Sequence, residues 1–402
     1  MSSLKLQGVN KIYPSGTIAL YDANLETTDK EFLVVVGAEE SGKSTLLRVI
    51  AGLEECSEGQ IFIGDREVTE VEPKDRDIAM VFRNNTLYPA LNVFDNMAFG
   101  LKIRKASQTL IEQRVKAAAK ILGLEDILYR KPKTLTAAQR QRVAIGRAVV
   151  KEPKLYLLDE PLAGLDEKLK AELLSVIINM QARMEGTFIY ATKNLSEALT
   201  IGTRIVVMKK GTIQQIDTPA NLYDYPANAY VAFYIGAPTI NFVNNAKIVK
   251  TADGVFAEAE DFKIKLSEKV ASRFTQIDDY ANSLRRVILG IRPEDMTTVK
   301  GKGTEVTKTE NDGDDYYAEC KYMGQTFVVR TQKEQGAGEC GLEIDADRVH
   351  LFDAETRLTL LSRDEGYQNT GFADADRLPL TFPEEEELIK TFKAKKAEKK
   401  KK

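Results

Sequence analysis

Residues 31–36 form an apolar run with three consecutive valines, a pattern that predicts a buried strand. A loop bounded by glycines follows. Apolar positions at helical spacing over residues 43–51 then predict a helix. Similar apolar runs at 155–158, 187–191 and 204–208 predict further buried strands, and residues 110–122 and 135–150 predict helices. Strands alternating with helices point to the α/β class, with a parallel sheet covered by helices. After about Gly236 the texture changes. Short strand-like pieces at 287–290, 325–329 and 348–351 lie between Gly, Asp and Asn, which predicts a small β-barrel or sandwich domain. From Pro383 an acidic run, 384–387, gives way to a lysine-dense end at 393–402, read as a polar helix or a disordered segment.

Composition narrows the picture. A chain of 402 residues has room for two or three domains, and 43% hydrophobic with 29% charged residues is the balance of a globular protein. Lysine and arginine total 57 against 60 acidic residues, so the net charge of -3 argues against a nucleic-acid partner, which demands a basic face. Cys56, Cys320 and Cys340 are too few for a disulfide framework and lack metal-ligand spacing, which fits a reducing cytoplasmic setting. Residues 1–13 contain no apolar run of leader length, and no stretch reaches the roughly 20 apolar residues that span a bilayer. Any service to a membrane system is expected from its edge.

The chemistry begins at the first predicted strand–helix junction. Residues 37–44, Gly-Ala-Glu-Glu-Ser-Gly-Lys-Ser, satisfy the Gly-x-x-x-x-Gly-Lys-Ser/Thr phosphate-loop pattern in the strand-to-helix context it requires. Backbone N–H groups at a helix N-terminus cradle phosphate, Lys43 neutralises charge and the Ser44 hydroxyl reaches Mg²⁺. Gly37, Ser41, Gly42, Lys43, Ser44 and Thr45 are therefore candidate nucleotide-binding residues. The strand at 155–158 ends in Asp159-Glu160. One carboxylate is suited to Mg²⁺ and the other, Glu160, to polarising an attacking water.

Together these segments resemble the ATP-binding-cassette family, and within it the ATPases of maltose-type and other carbohydrate or glycerol-phosphate importers. The resemblance runs from about Leu4 to Leu361. It is carried by Leu-Leu-Arg-Val-Ile-Ala-Gly-Leu-Glu at 46–54, Leu-Tyr-Pro at 87–89, Asn-Met-Ala-Phe-Gly-Leu-Lys at 96–102, Arg-Gln-Arg-Val-Ala-Ile-Gly-Arg-Ala at 140–148 and Ile-Arg-Pro-Glu-Asp at 291–295. It implies a P-loop cassette over residues 1–236 with a helical subdomain at about 87–150, an OB-like regulatory domain over 237–365 and a polar tail over 366–402. It also implies Mg-ATP as ligand and Tyr13 stacked on adenine. Each ATP would be gripped by the phosphate loop of one cassette and the signature motif of a second, in a homodimer or a heterodimer. The implied partners are membrane permease subunits, and the implied location is the cytoplasmic face of the membrane.

Five positions depart from the family pattern. Its glutamine near Mg²⁺ and the attacking water is Arg83. The signature Leu-Ser-Gly-Gly-Gln reads Leu135-Thr136-Ala137-Ala138-Gln139: Thr136 keeps a hydroxyl, Ala137 and Ala138 add methyl groups and disfavour any positive φ, and Gln139 is retained. The switch histidine falls at Lys193, and the one histidine of the chain, His350, lies in the second domain. The D-loop keeps Asp166 but loses a polar pair to Ala163-Gly164. Glu39 and Glu40 put two carboxylates into a loop that should hold an anion. The resemblance thus assigns Glu160, Arg83 and Lys193 to the catalytic positions, and Thr136, Ala137, Gln139 and Asp166 to nucleotide contacts. Two functions follow as expectations. One is an energising ATPase subunit of a carbohydrate importer with impaired hydrolysis. The other is a regulatory or scaffold subunit that binds nucleotide without hydrolysing it. A soluble cassette acting on ribosomes or DNA fits poorly with one phosphate loop and near-neutral charge.

Overall fold

The computed structural model describes residues 3–84, 86–313, 315–332, 334, 336–364, 366 and 367. The tail expected at 366–402 lies outside the described residues except for Gly366 and Tyr367. The described chain forms two compact units, one ending at Pro219 and the other beginning at Ala220.

The first unit opens with β1 (Leu4–Ile12), β2 (Ile18–Glu26), β3 (Phe32–Val36) and α1 (Lys43–Ala51). Next come β4 (Glu58–Ile63), β5 (Arg66–Glu67) and β6 (Ile78–Val81). Three helices follow: α2 (Val93–Ile103), α3 (Gln108–Leu122) and α4 (Ala137–Val149). The unit ends with β7 (Leu155–Asp159), α5 (Glu167–Gln181), β8 (Thr187–Thr192), α6 (Leu195–Ile201), β9 (Arg204–Lys209) and β10 (Thr212–Asp217).

Its central sheet has the order β10-β9-β3-β8-β7-β6. The pairs β9/β3, β3/β8, β8/β7 and β7/β6 are parallel. Every residue of β3, β7 and β8 is buried, as expected for parallel strands covered on both faces. A second, antiparallel sheet, β2-β1-β4-β5, closes the core over α1, with Leu4, Leu6, Leu20, Leu46, Ile50 and Ile61 fully or nearly fully buried. The α/β class and the seven predicted elements of this half are present. The antiparallel sheet was not foreseen.

The second unit contains α7 (Pro219–Asp224), which begins at the division, then α8 (Ala229–Tyr234), β11 (Asn241–Thr251), β12 (Gly254–Ala259), β13 (Phe262–Lys265), α9 (Glu268–Arg273) and α10 (Ile277–Ala281). It continues with β14 (Val287–Ile291), β15 (Met296–Asp312), β16 (Asp315–Tyr322), β17 (Gln325–Thr331), β18 (Gly338–Ile344) and β19 (His350–Asp353). Two antiparallel sheets, β13-β12-β11-β14-β19 and β17-β16-β15-β18, share one apolar core that includes Phe262, Phe274, Leu289, Phe327 and Leu351. The division falls ahead of the textural change at Gly236 for a physical reason. Ala229 and Ala232 of α8 bury against Ile288 and Phe352, and the Arg292 guanidinium donates to the carbonyls of Tyr223, Ala232 and Ile235. No helix among the described residues is long and apolar enough to cross a membrane.

Candidate nucleotide site

In a parallel sheet, ligands gather beyond the carboxyl ends of the strands. Four adjacent strands deliver the predicted site there. β3 runs into the loop 37–44, β7 ends at Asp159, β8 leads to Lys193 and β6 leads to Arg83.

The loop is built for close backbone approach. Gly42, at the N-cap of α1, has φ 100°, and a Cβ there would lie 2.6 Å from the Ala19 carbonyl oxygen. A Cβ on Gly37 would lie 2.4 Å from the Met208 carbonyl oxygen. Lys43 folds back over the loop, its Nζ donating to the carbonyls of Gly37 and Ala38 (both 2.7 Å) and to Ser41 Oγ (3.2 Å). Burial lowers the Lys43 pKa, and Glu160, Asp159 and Glu39 act against that shift. Ser44 Oγ donates to Asp159 Oδ1 at 2.8 Å. Burial raises the Asp159 pKa, partly offset by that bond and by Arg48. A buried carboxylate beside a hydroxyl, short of countercharge, suits a hard cation with oxygen ligands. Thr45 lies next to Tyr13, whose hydroxyl is 3.4 Å from Thr45 Oγ1, while Lys11 Nζ sits 5.0 Å from the Tyr13 ring centroid.

Three of the residues that depart from the family pattern, Arg83, Lys193 and Glu39, form ion pairs. Arg83 Nη1 lies 3.4 Å from Glu160 Oε2, and Lys193 Nζ lies 2.7 Å from Glu39 Oε1. Glu160 follows β7 with φ 44°, and its N–H donates to the Ala191 carbonyl, which fixes the turn. Glu40 likewise has φ 63°. The sequence reading named all four paired residues without foreseeing either pairing. It also missed the support beneath Lys193. Tyr190 Oη and Thr192 Oγ1 each donate to Glu197 Oε2 at 2.8 Å, and Asn194 N donates to Thr192 Oγ1 at 3.0 Å while its side chain caps α6. A glutamate two residues inside a helix, with hydroxyls at the end of the preceding strand, is the signal that could have revealed this.

The remaining predicted residues bind within their own helices. Thr136 is the N-cap of α4 and forms a reciprocal capping box with Gln139: Gln139 N donates to Thr136 Oγ1 at 3.2 Å and Thr136 N donates to Gln139 Oε1 at 3.0 Å. Ala137 and Ala138 are the first two residues of that helix, and neither is among the positive-φ residues. The expected conflict between their methyl groups and a left-handed backbone therefore does not arise. Asp166 is the N-cap of α5, accepting from Leu169 N at 3.0 Å. Gln141 of α4 donates to the Pro161 carbonyl, tying that helix to the turn after Glu160.

The sequence model of the family described as ABC transporter matches residues 20–163. The chain is 41% identical over 378 residues to the oligosaccharides import ATP-binding protein MsmX of Bacillus subtilis, covering 90% of this chain and 100% of that protein. It is 40% identical over 376 residues to the trehalose/maltose import ATP-binding protein MalK of Thermococcus litoralis, covering 89% of this chain and 99% of that one. The chain belongs to the ABC transporter family. Its fold is that of the ABC cassette with a P-loop, followed by a β-rich C-terminal region. Among solved structures, CbiO1 of Clostridium perfringens, part of the CbiONQ transporter complex, matches with a TM-score of 0.51 and 28% identity, covering 55% of this chain and 90% of that one.

Proposed function

We propose that this chain is the ATP-binding subunit of a carbohydrate importer and that its hydrolysis is impaired. The reading rests first on the phosphate loop with Lys43 folded over it and Ser44 bonded to Asp159. It rests also on full-length similarity to proteins named for oligosaccharide and trehalose/maltose import. Gly37, Ser41, Gly42, Lys43, Ser44 and Thr45 hold the phosphates, and Tyr13 stacks on adenine. Ser44 and Asp159 would hold Mg²⁺, which when bound neutralises phosphate charge. Thr136, Ala137, Gln139 and Asp166 meet nucleotide only across a cassette dimer, whether of two copies or with a sister ATPase.

Impaired hydrolysis follows from the charge arrangement. Glu160 is the group available to polarise water, and Arg83 sits on its carboxylate. A carboxylate engaged by a guanidinium is less free to orient an attacking water. Lys193 offers a point charge in place of an imidazole that both donates and accepts. Each lost transition-state contact costs about 10²–10³ in rate. The same Arg83–Glu160 pair favours the second reading, a subunit that closes on nucleotide and scarcely turns it over.

The candidate partner surface lies between α2 and α4. Tyr88, Phe99, Ile103, Ala144 and Arg147 line a cavity of about 490 Å³, with the Tyr88 ring tilted against Phe99 at a centroid distance of 4.3 Å and the Arg147 guanidinium 4.7 Å from the Tyr88 ring. A recess with an aromatic wall and the cationic Arg147 and Lys151, lined by Phe82 and Asn84 on either side of Arg83 in sequence, suits a helix of a membrane permease at the cytoplasmic face. Of the three residues at 87–89, Tyr88 lines it, whereas Leu87 is buried. The deciding experiment is phosphate release by the purified protein beside its Lys43→Ala variant, together with co-purification of permease subunits from cells. Release at several turnovers per second, abolished in the variant, would overturn impaired hydrolysis. Recovery without any permease would overturn the importer assignment.

A further inference from the structure

Lys193 and Glu39 are brought together by the parallel pairing of β3 with β8, in which Val36 stands opposite Thr192. Each strand then delivers one charged residue above the same loop, and the two meet at 2.7 Å. Glu39 is the more exposed partner, its side chain 71% accessible, and it belongs to the loop that wraps phosphate. We propose that Glu39 is a built-in stand-in for the terminal phosphate of a nucleoside triphosphate: it holds Lys193 over the loop until that phosphate displaces it. The inference rests on the reading of residues 37–44 as the nucleotide phosphate site.

Three observations carry it. First, the Glu39 carboxylate lies where cations converge. Its pKa is held below the ordinary carboxylate value first by the Lys193 hydrogen bond and charge, and further by Arg83 and Lys43. A point of focus for three cations from three different segments is where a bound anion gains most. Second, the pair is exposed, so solvent and salt weaken it and an incoming anion displaces it easily. Third, the pair holds the Lys193 side chain while the backbone on either side of it is fixed independently. Thr192, Asn194 and Glu197 fix the strand–helix junction on either side, leaving the lysine chain to change partners. Glu39 follows Ala38, whose carbonyl Lys43 already holds, so the carboxylate can swing out without remaking the loop.

The consequence is discrimination by phosphate count. A triphosphate must break the pair to reach Lys193, whereas a diphosphate leaves it intact. Glu39 and Lys193 should therefore be coupled in triphosphate binding and uncoupled in diphosphate binding. The test is a double-mutant cycle by calorimetry on the full chain, with Glu39→Gln, Lys193→Ala and the double variant, using Mg-AMP-PNP and ADP as probes. The expected result is that Glu39→Gln tightens AMP-PNP more when Lys193 is present than when it is replaced, by about 1.5- to 5-fold, the range of exposed pairs. With ADP the two backgrounds should agree. Equal gains in both backgrounds for AMP-PNP would reduce Glu39 to a nearby anion and overturn the inference, as would weaker binding on Glu39→Gln. Lys43→Ala serves as the control. If it leaves AMP-PNP affinity unchanged, the nucleotide-site reading itself falls, and if it abolishes binding while the cycle shows no coupling, only the stand-in falls.

Discussion

Gly42 occupies a backbone conformation that a side chain resists, and the Ala19 carbonyl stands in the way of any Cβ. Gly42→Ala is expected to cost about 1–3 kcal/mol through strain and to abolish nucleotide binding, both readable from thermal melts with and without ATP. Unchanged nucleotide stabilisation would show the loop to be more pliant than its geometry. At Arg83 and Lys193 the question is rate. Arg83→Gln frees Glu160, and combined with Lys193→His it should raise turnover by about ten-fold or more. The two gains should not multiply, because both groups act on one transition state. Steady-state phosphate release on the two single variants and the double variant checks this. Single residues differ in how far the sequence disclosed them. Lys43, Ser44 and Asp159 were legible because a phosphate loop and a strand-end acid are local patterns. The Arg83–Glu160 and Lys193–Glu39 pairs were not, because each joins residues that only the order of the sheet brings side by side.

Among elements, α4 separates stability from catalysis. Its Thr136–Gln139 capping box satisfies the first turn internally. Thr136→Ala should cost about 0.5–2 kcal/mol and lower the melting temperature by a few degrees. Ala137→Gly with Ala138→Gly restores the family's composition. Since both positions are helical here, each glycine is expected to cost up to about 1 kcal/mol of helix stability. A gain in turnover from that double change would require closer phosphate approach, not relief of backbone strain. A melt that rises would contradict the helical assignment. The buried parallel strands could be read from runs such as Phe-Leu-Val-Val-Val in β3, because burial on both faces leaves no alternation to interpret. β1 and β2 escaped notice because register shifts after Leu6, Val9 and Lys11 break their alternation. The strand expected at 348–351 starts later, at His350, since Arg348 is committed to an ion pair with Asp295 at 2.9 Å.

Across the whole molecule, the change from alternating to β-rich texture disclosed that a second body exists. It could not place the division, because α7 and α8 look like the end of a cassette until their contacts with Arg292, Ile288 and Phe352 are seen. That second unit holds two carboxylates with opposite pH consequences. Asp353 is buried, which alone would raise its pKa. Hydrogen bonds from Tyr280, Thr356 and Arg285 prevail and bring it down to about 2. Its folded value lies below the unfolded one, so its stabilisation is present above about pH 4 and is lost as pH falls through 2, amounting to about 2 kcal/mol. Asp295 is raised to about 6 by burial, against the pull of Arg348. Its folded value lies above the unfolded one. Its contribution is therefore complete below about pH 4 and is lost as pH rises through 6, by up to about 3 kcal/mol. Asp353→Asn should match wild type near pH 2 and fall below it from pH 4 upward. Asp295→Asn, which keeps an acceptor for Arg348, should match wild type below pH 4 and exceed it above pH 6. Amide hydrogen exchange of peptides from β14 and β19 in the full chain, corrected for intrinsic rates, reads these differences in the unit concerned. Protection that shifts in the same direction at every pH for either variant would mean that lost packing, not ionisation, governs that site.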